Sequence, residues 1–319
     1  MFLEIQKADK SQKDIYLDRN VTDALKFMAC LMVAMGHYSG YVLANDLSSN
    51  IIYKVISATG GYLGVAIFFF LSGFGLMMSD MKHHLSPIEF IKRRLVKTWL
   101  PAVLVSAIWL GIAWMVDLDL LCNKHYFLGI LWRFNDEVMW FVQTIIIMYG
   151  FFCLYRIAPT TTLFWQLIKL IIFGFAAYWT IRLTGIGSSL SVPLFFLGMA
   201  VAEFPELIKR ILNNVGILVV MGFVAIVLLW LFRHDNYLIH GWGNYVSIIL
   251  MLLVLTHYNI TISTLPKWLG SSSYDVYLVH YKTHLFIVHY MSVDALWMFL
   301  GGTAIVTLVF YKLRKLLGV

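Results

Sequence analysis

The chain has 319 residues, 61% of them hydrophobic and only 13% charged, with a mean hydropathy of +0.79. A water-soluble domain carries roughly 45–50% apolar and 25% charged residues, so a soluble globular fold is excluded and a membrane protein expected. The formal charge of +7 reads as Lys and Arg held in cytoplasmic loops, with no nucleic-acid partner.

Residues 1–22 are polar and read as a cytoplasmic tail holding Lys7, Lys10, Lys13 and Arg19. They include no short apolar core with a small-residue cleavage site, so the first span itself is expected to target the chain. About 20 apolar residues cross a bilayer core. Ten segments fit: Ala24 to Ala44, Gly60 to Met78, Thr98 to Val116, Val138 to Tyr155, Thr162 to Ile181, Leu190 to Ala202, Val215 to Phe232, Gly243 to Tyr258, Ser272 to Tyr290 and Ala295 to Tyr311. With the N-terminus inside, 16 of the 24 Lys and Arg fall in cytoplasmic segments and five in the opposite loops. That asymmetry places both termini in the cytoplasm. The expected fold is an all-α polytopic bundle of about ten transmembrane helices. It is read as one domain over residues 1–319, with no appended soluble domain. Cys30, Cys122 and Cys153 lack paired or ligand-like spacing and read as packing residues, with no metal site.

The first span holds two ionisable residues, Lys26 and His37. Eleven positions are three helical turns plus about 20°, so both project from one face, roughly 16 Å apart. Such residues inside a span are costly and mark a functional path. An imidazole can give or take a proton near neutral pH, so His37 suits a general base; a histidine satisfied within a polar bundle is the equal alternative. Lys26, with Asp23 one turn earlier, can also snorkel to the interface.

The second span contains Phe68-Phe-Phe-Leu-Ser72-Gly73-Phe74-Gly75. Gly73 and Gly75 are expected to permit close helix approach, and Ser72 to hydrogen-bond across an interface. The third span is entered through Lys92-Arg93-Arg94-Leu-Val-Lys97 and carries Pro101. This reads either as plain cytoplasmic charge or as an anion clamp, since Arg94 and Lys97 are neighbours on one face. Met139-Trp140-Phe141, with Gln143 and Tyr149, reads as an interfacial aromatic belt. The ninth span, Ser273-Tyr274-Asp275-Val-Tyr277-Leu-Val-His280-Tyr281-Lys282, is too polar for a lipid-facing helix. Tyr274, Tyr277 and Tyr281 share a face, and Asp275 and Lys282, two turns apart, are expected to face one polar interior.

From about Asp23 to His280, these pieces in this order resemble the integral-membrane acyltransferase family 3, the polysaccharide O-acetyltransferase type. The resemblance implies ten spans and transfer of an acyl group, most often acetyl, from cytoplasmic acyl-CoA to a carbohydrate hydroxyl. It implies acyl-CoA as co-substrate with no permanently bound cofactor. The implied acceptor is an exopolysaccharide, capsule, O-antigen or similar glycan, and the implied location is the inner (plasma) membrane. It implies His37 and Lys26 as catalytic residues and Arg93, Arg94 and Lys97 as the donor-binding group. Tyr277, His280, Ser72 and Trp140 are implied to contact the substrate or relay a proton. The family pattern has Arg where this chain has Lys26, and commonly Arg-x-x-Arg where it has Arg94 and Lys97; Lys keeps the charge but loses the bidentate fork. A family Glu near Trp140 is replaced by Gln143, so no acidic role is assigned there. A transporter of polysaccharide or lipid-linked sugar, using the same polar spans as a path, is the alternative; a non-catalytic scaffold is a further one.

Overall fold

A computed structural model of the chain describes residues 3–7, 17–134, 136–160, 162–262, 267–291 and 296–318. Among these described residues eleven α-helices follow in order: α1 (Arg19–Ala44), α2 (Ile51–His83), α3 (Pro87–Met115), α4 (Trp140–Ile157), α5 (Leu163–Thr184), α6 (Val192–Glu203), α7 (Pro205–Asn213), α8 (Val215–Leu231), α9 (Asn236–His257), α10 (Lys267–Met291) and α11 (Leu296–Leu316). Two short strands, β1 (Leu3–Lys7) and β2 (Tyr258–Ile262), pair antiparallel with Leu3 opposite Ile262. Each of the ten expected spans falls on one helix, and α7 is the additional one. The protein is all-α and polytopic.

Seven of these helices are long and apolar enough to cross a bilayer. The others depart for separate reasons. Helix α6 has 12 residues, about 18 Å, too short for a core of about 30 Å. At Phe204 the chain bends by 104° into α7, whose sequence PELIKRILN alternates apolar and basic positions as an interfacial helix does. Helix α8 is wholly apolar but has only 17 residues. Helix α10 is long enough, and its polar side chains keep it out of the apolar set. In the other direction, α2 runs 33 residues, about 50 Å, well beyond the expected Gly60 to Met78.

Capping explains several starts. The carboxylate of Asp18 accepts from Val21 N at the head of α1, and Asn50 caps α2 through Ile52 N. Ser86, whose hydroxyl accepts from Glu89 N, is followed by Pro87 and opens α3; each cap satisfies an orphan N–H, and the proline dispenses with one.

The chain divides into two compact units. Unit 1 comprises residues 1–84, 170–178 and 190–270; unit 2 comprises 85–169, 179–189 and 271–319.

In unit 1, α2 runs between α1 and α6 with almost no side-chain spacer. A Cβ on Gly36 would meet Gly61 N at 2.6 Å, and one on Gly64 would collide with the Ala29 carbonyl. Toward α6 the fit is reciprocal: a Cβ on Gly73 would collide with the Phe195 carbonyl, and one on Gly198 with the Phe70 carbonyl. Small residues drive such approaches where lipid supplies no hydrophobic force. Gly75 differs from the expectation drawn for it. It is exposed, with nothing within 4 Å of a built Cβ, because two residues along a helix turn it 200° away from Gly73.

In unit 2, α10 is the hub. The Tyr274 hydroxyl donates to the Thr98 carbonyl of α3 (2.6 Å) and the Tyr277 hydroxyl to the Val138 carbonyl before α4 (2.7 Å). Asp275 accepts a hydrogen bond from Nη2 of Arg314 on α11 (3.0 Å) and forms an ion pair with its Nε (2.9 Å). Lys282 pairs with Asp136 (3.6 Å), and the Tyr290 hydroxyl donates to the Val116 carbonyl (2.8 Å). So Asp275 and Lys282 are both buried, as their spacing suggested, but serve different partners. Tyr274, Asp275, Tyr277 and Lys282, which made this helix look unlike a span, each find a partner inside the unit, as a membrane interior demands. Pro101 lies inside α3; its ring removes a bond to the preceding turn, next to the Thr98 carbonyl that Tyr274 engages. The loop after α3 is fastened by Trp114 Nε1 to the Lys124 carbonyl (3.1 Å) and by Lys124 to Asp117. That ammonium holds the Asp117 carboxyl below the ordinary aspartate range, by its hydrogen bond first and its charge second. The three cysteines are buried and unbridged.

Candidate functional site

The residues expected to carry function divide between the units. Lys26, His37 and Ser72 belong to unit 1; Arg93, Arg94, Lys97, Trp140, Tyr277 and His280 belong to unit 2.

In unit 1, Lys26 Nζ lies 3.3 Å from Asp23 Oδ1 and its side chain is 38% exposed. Asp23 also receives Arg19 Nε at 3.8 Å. Lys26 is therefore anchored at the start of α1, as the i, i+3 spacing requires. A side chain at Gly270 would collide with the Asp23 carboxyl group, so this acid is packed as well as paired. His37 is half-buried, next to Gly36 where α1 and α2 backbones touch. Ser72 is half-buried on α2 beside Gly73, on the stretch that packs against α6.

In unit 2 the basic residues of α3 separate by environment. Arg93 is exposed and bonded to Glu89 (2.5 Å), a surface helical pair. Lys97 is exposed. Arg94 is half-buried, with its guanidinium 5.5 Å from the Phe90 ring centroid. A second guanidinium reaches the same ring: Arg156, at the end of α4, lies 6.0 Å from Phe90 and 5.9 Å from Phe152, and donates to the Leu85 carbonyl (2.7 Å). Two cations held against one aromatic ring add to the local positive potential, and a bound anion would offset it. In the sequence Arg156 is only one of the 16 Lys and Arg in the cytoplasmic segments. Its position one residue from the end of an apolar helix was the available signal, but nothing in the sequence linked it to Phe90. Beside this cluster the hydroxyls of Thr98 and Tyr149 are 3.1 Å apart, one turn along from Arg94.

Further along α10, the buried Tyr277 ring meets Phe141 (5.4 Å between centroids) and His280 (5.9 Å). His280 is fully buried, with Nδ1 2.7 Å from the Tyr277 carbonyl and 3.2 Å from that of Val276. Carbonyls only accept, so Nδ1 is the nitrogen that donates to them. Trp140 is half-buried at the head of α4, where it lines a cavity of about 800 Å³ lying wholly within unit 2. The buried Lys282–Asp136 pair stands in the wall of that cavity. Asp136 was missed in the sequence, since it sits in the loop before α4 and its buried partner is 146 residues away.

Unit 2 therefore has two polar regions. Trp140 and Arg156, at opposite ends of α4, are about 24 Å apart along its axis, so cationic cluster and cavity stand close to a bilayer thickness apart. Residues of α10 from Tyr274 to Lys282 run between them.

No curated protein and no solved structure matches the chain significantly. The family model described as an acyltransferase domain matches residues 20–313, from the head of α1 to within three residues of the end of α11. The chain thus belongs to acyltransferase family 3, and is a multi-pass membrane acyltransferase.

Proposed function

We propose that the protein transfers an acyl group, most simply acetyl, from acyl-CoA to a hydroxyl of a cell-surface or lipid-linked carbohydrate. The observation that carries this reading is the extent of the acyltransferase match, which takes in His37, Arg94, Lys97, Trp140 and His280 together. Arg94 and Arg156, with Lys97 at the rim, bind the phosphates of coenzyme A; guanidinium forks suit phosphate oxygens. The excess of Lys and Arg on one side makes that side cytoplasmic, where acyl-CoA is made. Arg93, tied to Glu89, contributes charge only.

His37 is the general base or transient acyl carrier. As base it takes the proton of the acceptor hydroxyl; the oxygen attacks the thioester carbon, the C–S bond breaks, and the proton passes to the coenzyme A thiolate. As carrier, its ring nitrogen displaces the thiolate first and yields the acyl group to the hydroxyl afterwards. Lys26 stabilises charge near the entrance of α1. Tyr277 and His280 orient groups along α10, and Ser72 serves the acyl path in unit 1. The location that follows is the inner, or plasma, membrane.

The test is thiol release from acetyl-CoA by the full chain in lipid vesicles, with mass spectrometry of surface glycans from cells that carry or lack it. Acetyl groups should appear only with the intact chain. His37→Ala should insert normally and lose transfer. Undiminished transfer by His37→Ala removes the role given to His37, and absence of thiol release with glycan movement across the membrane establishes a transporter instead.

A further inference from the structure

The cavity of unit 2 is chemically unlike the cationic cluster at the other end of α4. Its charged lining is balanced: Asp119 and Asp136 against Arg133 and Lys282. Asp136 and Lys282 are paired within the wall at 3.6 Å, with side chains only 5% and 7% exposed. A cavity without net charge gives a polyphosphate such as coenzyme A no electrostatic reason to enter. Its volume, about 800 Å³, is in the range of small-ligand sites.

The lining alternates aromatic surface with groups that donate and accept. Gly187, also part of the lining, has φ +65°, and a Cβ there would collide with the Trp140 indole, so a glycine is required for the wall to close on this ring. Gln143 donates Nε2 to the Trp132 carbonyl (2.8 Å), which fixes the amide and turns its oxygen into an acceptor for a ligand. Phe134, between the lining residues Arg133 and Asp136, has φ +54° and is 1% exposed. A bulky residue persists in that region only where its surroundings over-determine it.

We propose that this cavity binds a pyranose ring of the acceptor, its C–H face against the Trp140 indole and its hydroxyls on Gln143 and the Asp136–Lys282 pair. An aromatic ring flanked by neutral and mutually compensated polar groups fits a ligand that has one apolar face, many hydroxyls and no net charge. The assignment rests on the acyltransfer reading for its meaning, since a site about 24 Å from the donor phosphates along α4 is where an acceptor from the opposite face would wait. Binding itself does not depend on that reading.

The experiment is saturation-transfer NMR on the purified full chain in nanodiscs, without acyl-CoA, using disaccharides built from glucose, galactose, mannose and N-acetylglucosamine. At least one should bind saturably. Trp140→Ala and Asp136→Asn should each weaken it at least ten-fold, and so should Tyr126→Ala, which alters an exposed lining residue and spares the helix core. Coenzyme A affinity, measured on the same variants, should stay within two-fold. Failure of every disaccharide to bind overturns the proposal, as does binding unchanged in Trp140→Ala. A parallel loss of coenzyme A affinity reassigns the cavity to the donor and also overturns it. Saccharide binding by a chain that releases no thiol from acetyl-CoA supports the site and refutes the acyltransfer reading alone.

Discussion

Replacing Gly73 and Gly75 by alanine, one at a time, should move stability in opposite directions although the two are a residue apart on α2. Both gain the same helix-propensity benefit, about 1 kcal/mol for Gly to Ala, so their difference isolates the packing term. At Gly75 a Cβ meets nothing within 4 Å, and the benefit stands alone. At Gly73 it runs into the Phe195 carbonyl. That obstacle is backbone, so no rotamer change clears it and α2 must part from α6. Overpacking of this kind costs about 1–3 kcal/mol, and the rigid partner places it toward the upper end. At about 2–4 °C per kcal/mol for 150–250 residues, the two variants should melt roughly 2–12 °C apart. Thermal unfolding of detergent-purified protein, followed by loss of the monodisperse peak, measures this. Equal melting temperatures, or a more stable Gly73→Ala, would refute the close approach of α2 and α6. Gly198→Ala, the reciprocal contact, should behave like Gly73→Ala.

Arg314→Ala leaves Asp275 as a fully buried acid without its guanidinium, and should cost about 3–5 kcal/mol in the same assay, whereas Asp275→Leu with Arg314→Met should recover most of that loss. A double variant as damaged as the single one would mean that lost packing, not an orphaned charge, dominates. Arg156→Ala should raise the KM for acyl-CoA about 10–100-fold, the range of one lost charged hydrogen bond, with kcat little changed. Arg156→Lys should recover only part, because the fork is lost; an unchanged KM in Arg156→Ala would separate Phe90 and its two arginines from the donor.

Hydropathy made the ten spans legible because apolar side chains and bilayer thickness fix a length, and α1, α4 and α5 follow it closely. The length rule failed where a helix does not run straight across: α6 stops after 12 residues because its continuation bends away as α7. Within the site, local spacing was readable and distant pairing was not. The Lys26–Asp23 contact follows from i, i+3 geometry. The polarity of α10 announced a buried interior, yet whether Asp275 meets Lys282, Arg314 or neither depends on which helix lies on each side. Asp136 and Arg156 were hidden for the same reason, since a single charge at a span boundary looks like a topology signal until its neighbours are placed. Gly73 and Gly75 looked alike in sequence; only their directions on α2 distinguish them.

The pairing of Asp275 with Arg314 also bears on how the protein is made. The two residues are 39 positions apart, and at about 5–20 residues per second a ribosome takes several seconds to travel from one to the other. During that interval α10 reaches the insertion machinery with a carboxylate whose entry into lipid costs about 3 kcal/mol and whose counter-charge has not been synthesised. Arg314 lies in the last turn of α11, so α10 settles only when nearly all of the following helix has emerged. A premature stop before that turn would leave the hub of unit 2 holding an acid that nothing neutralises, exposed to membrane quality control rather than to folding.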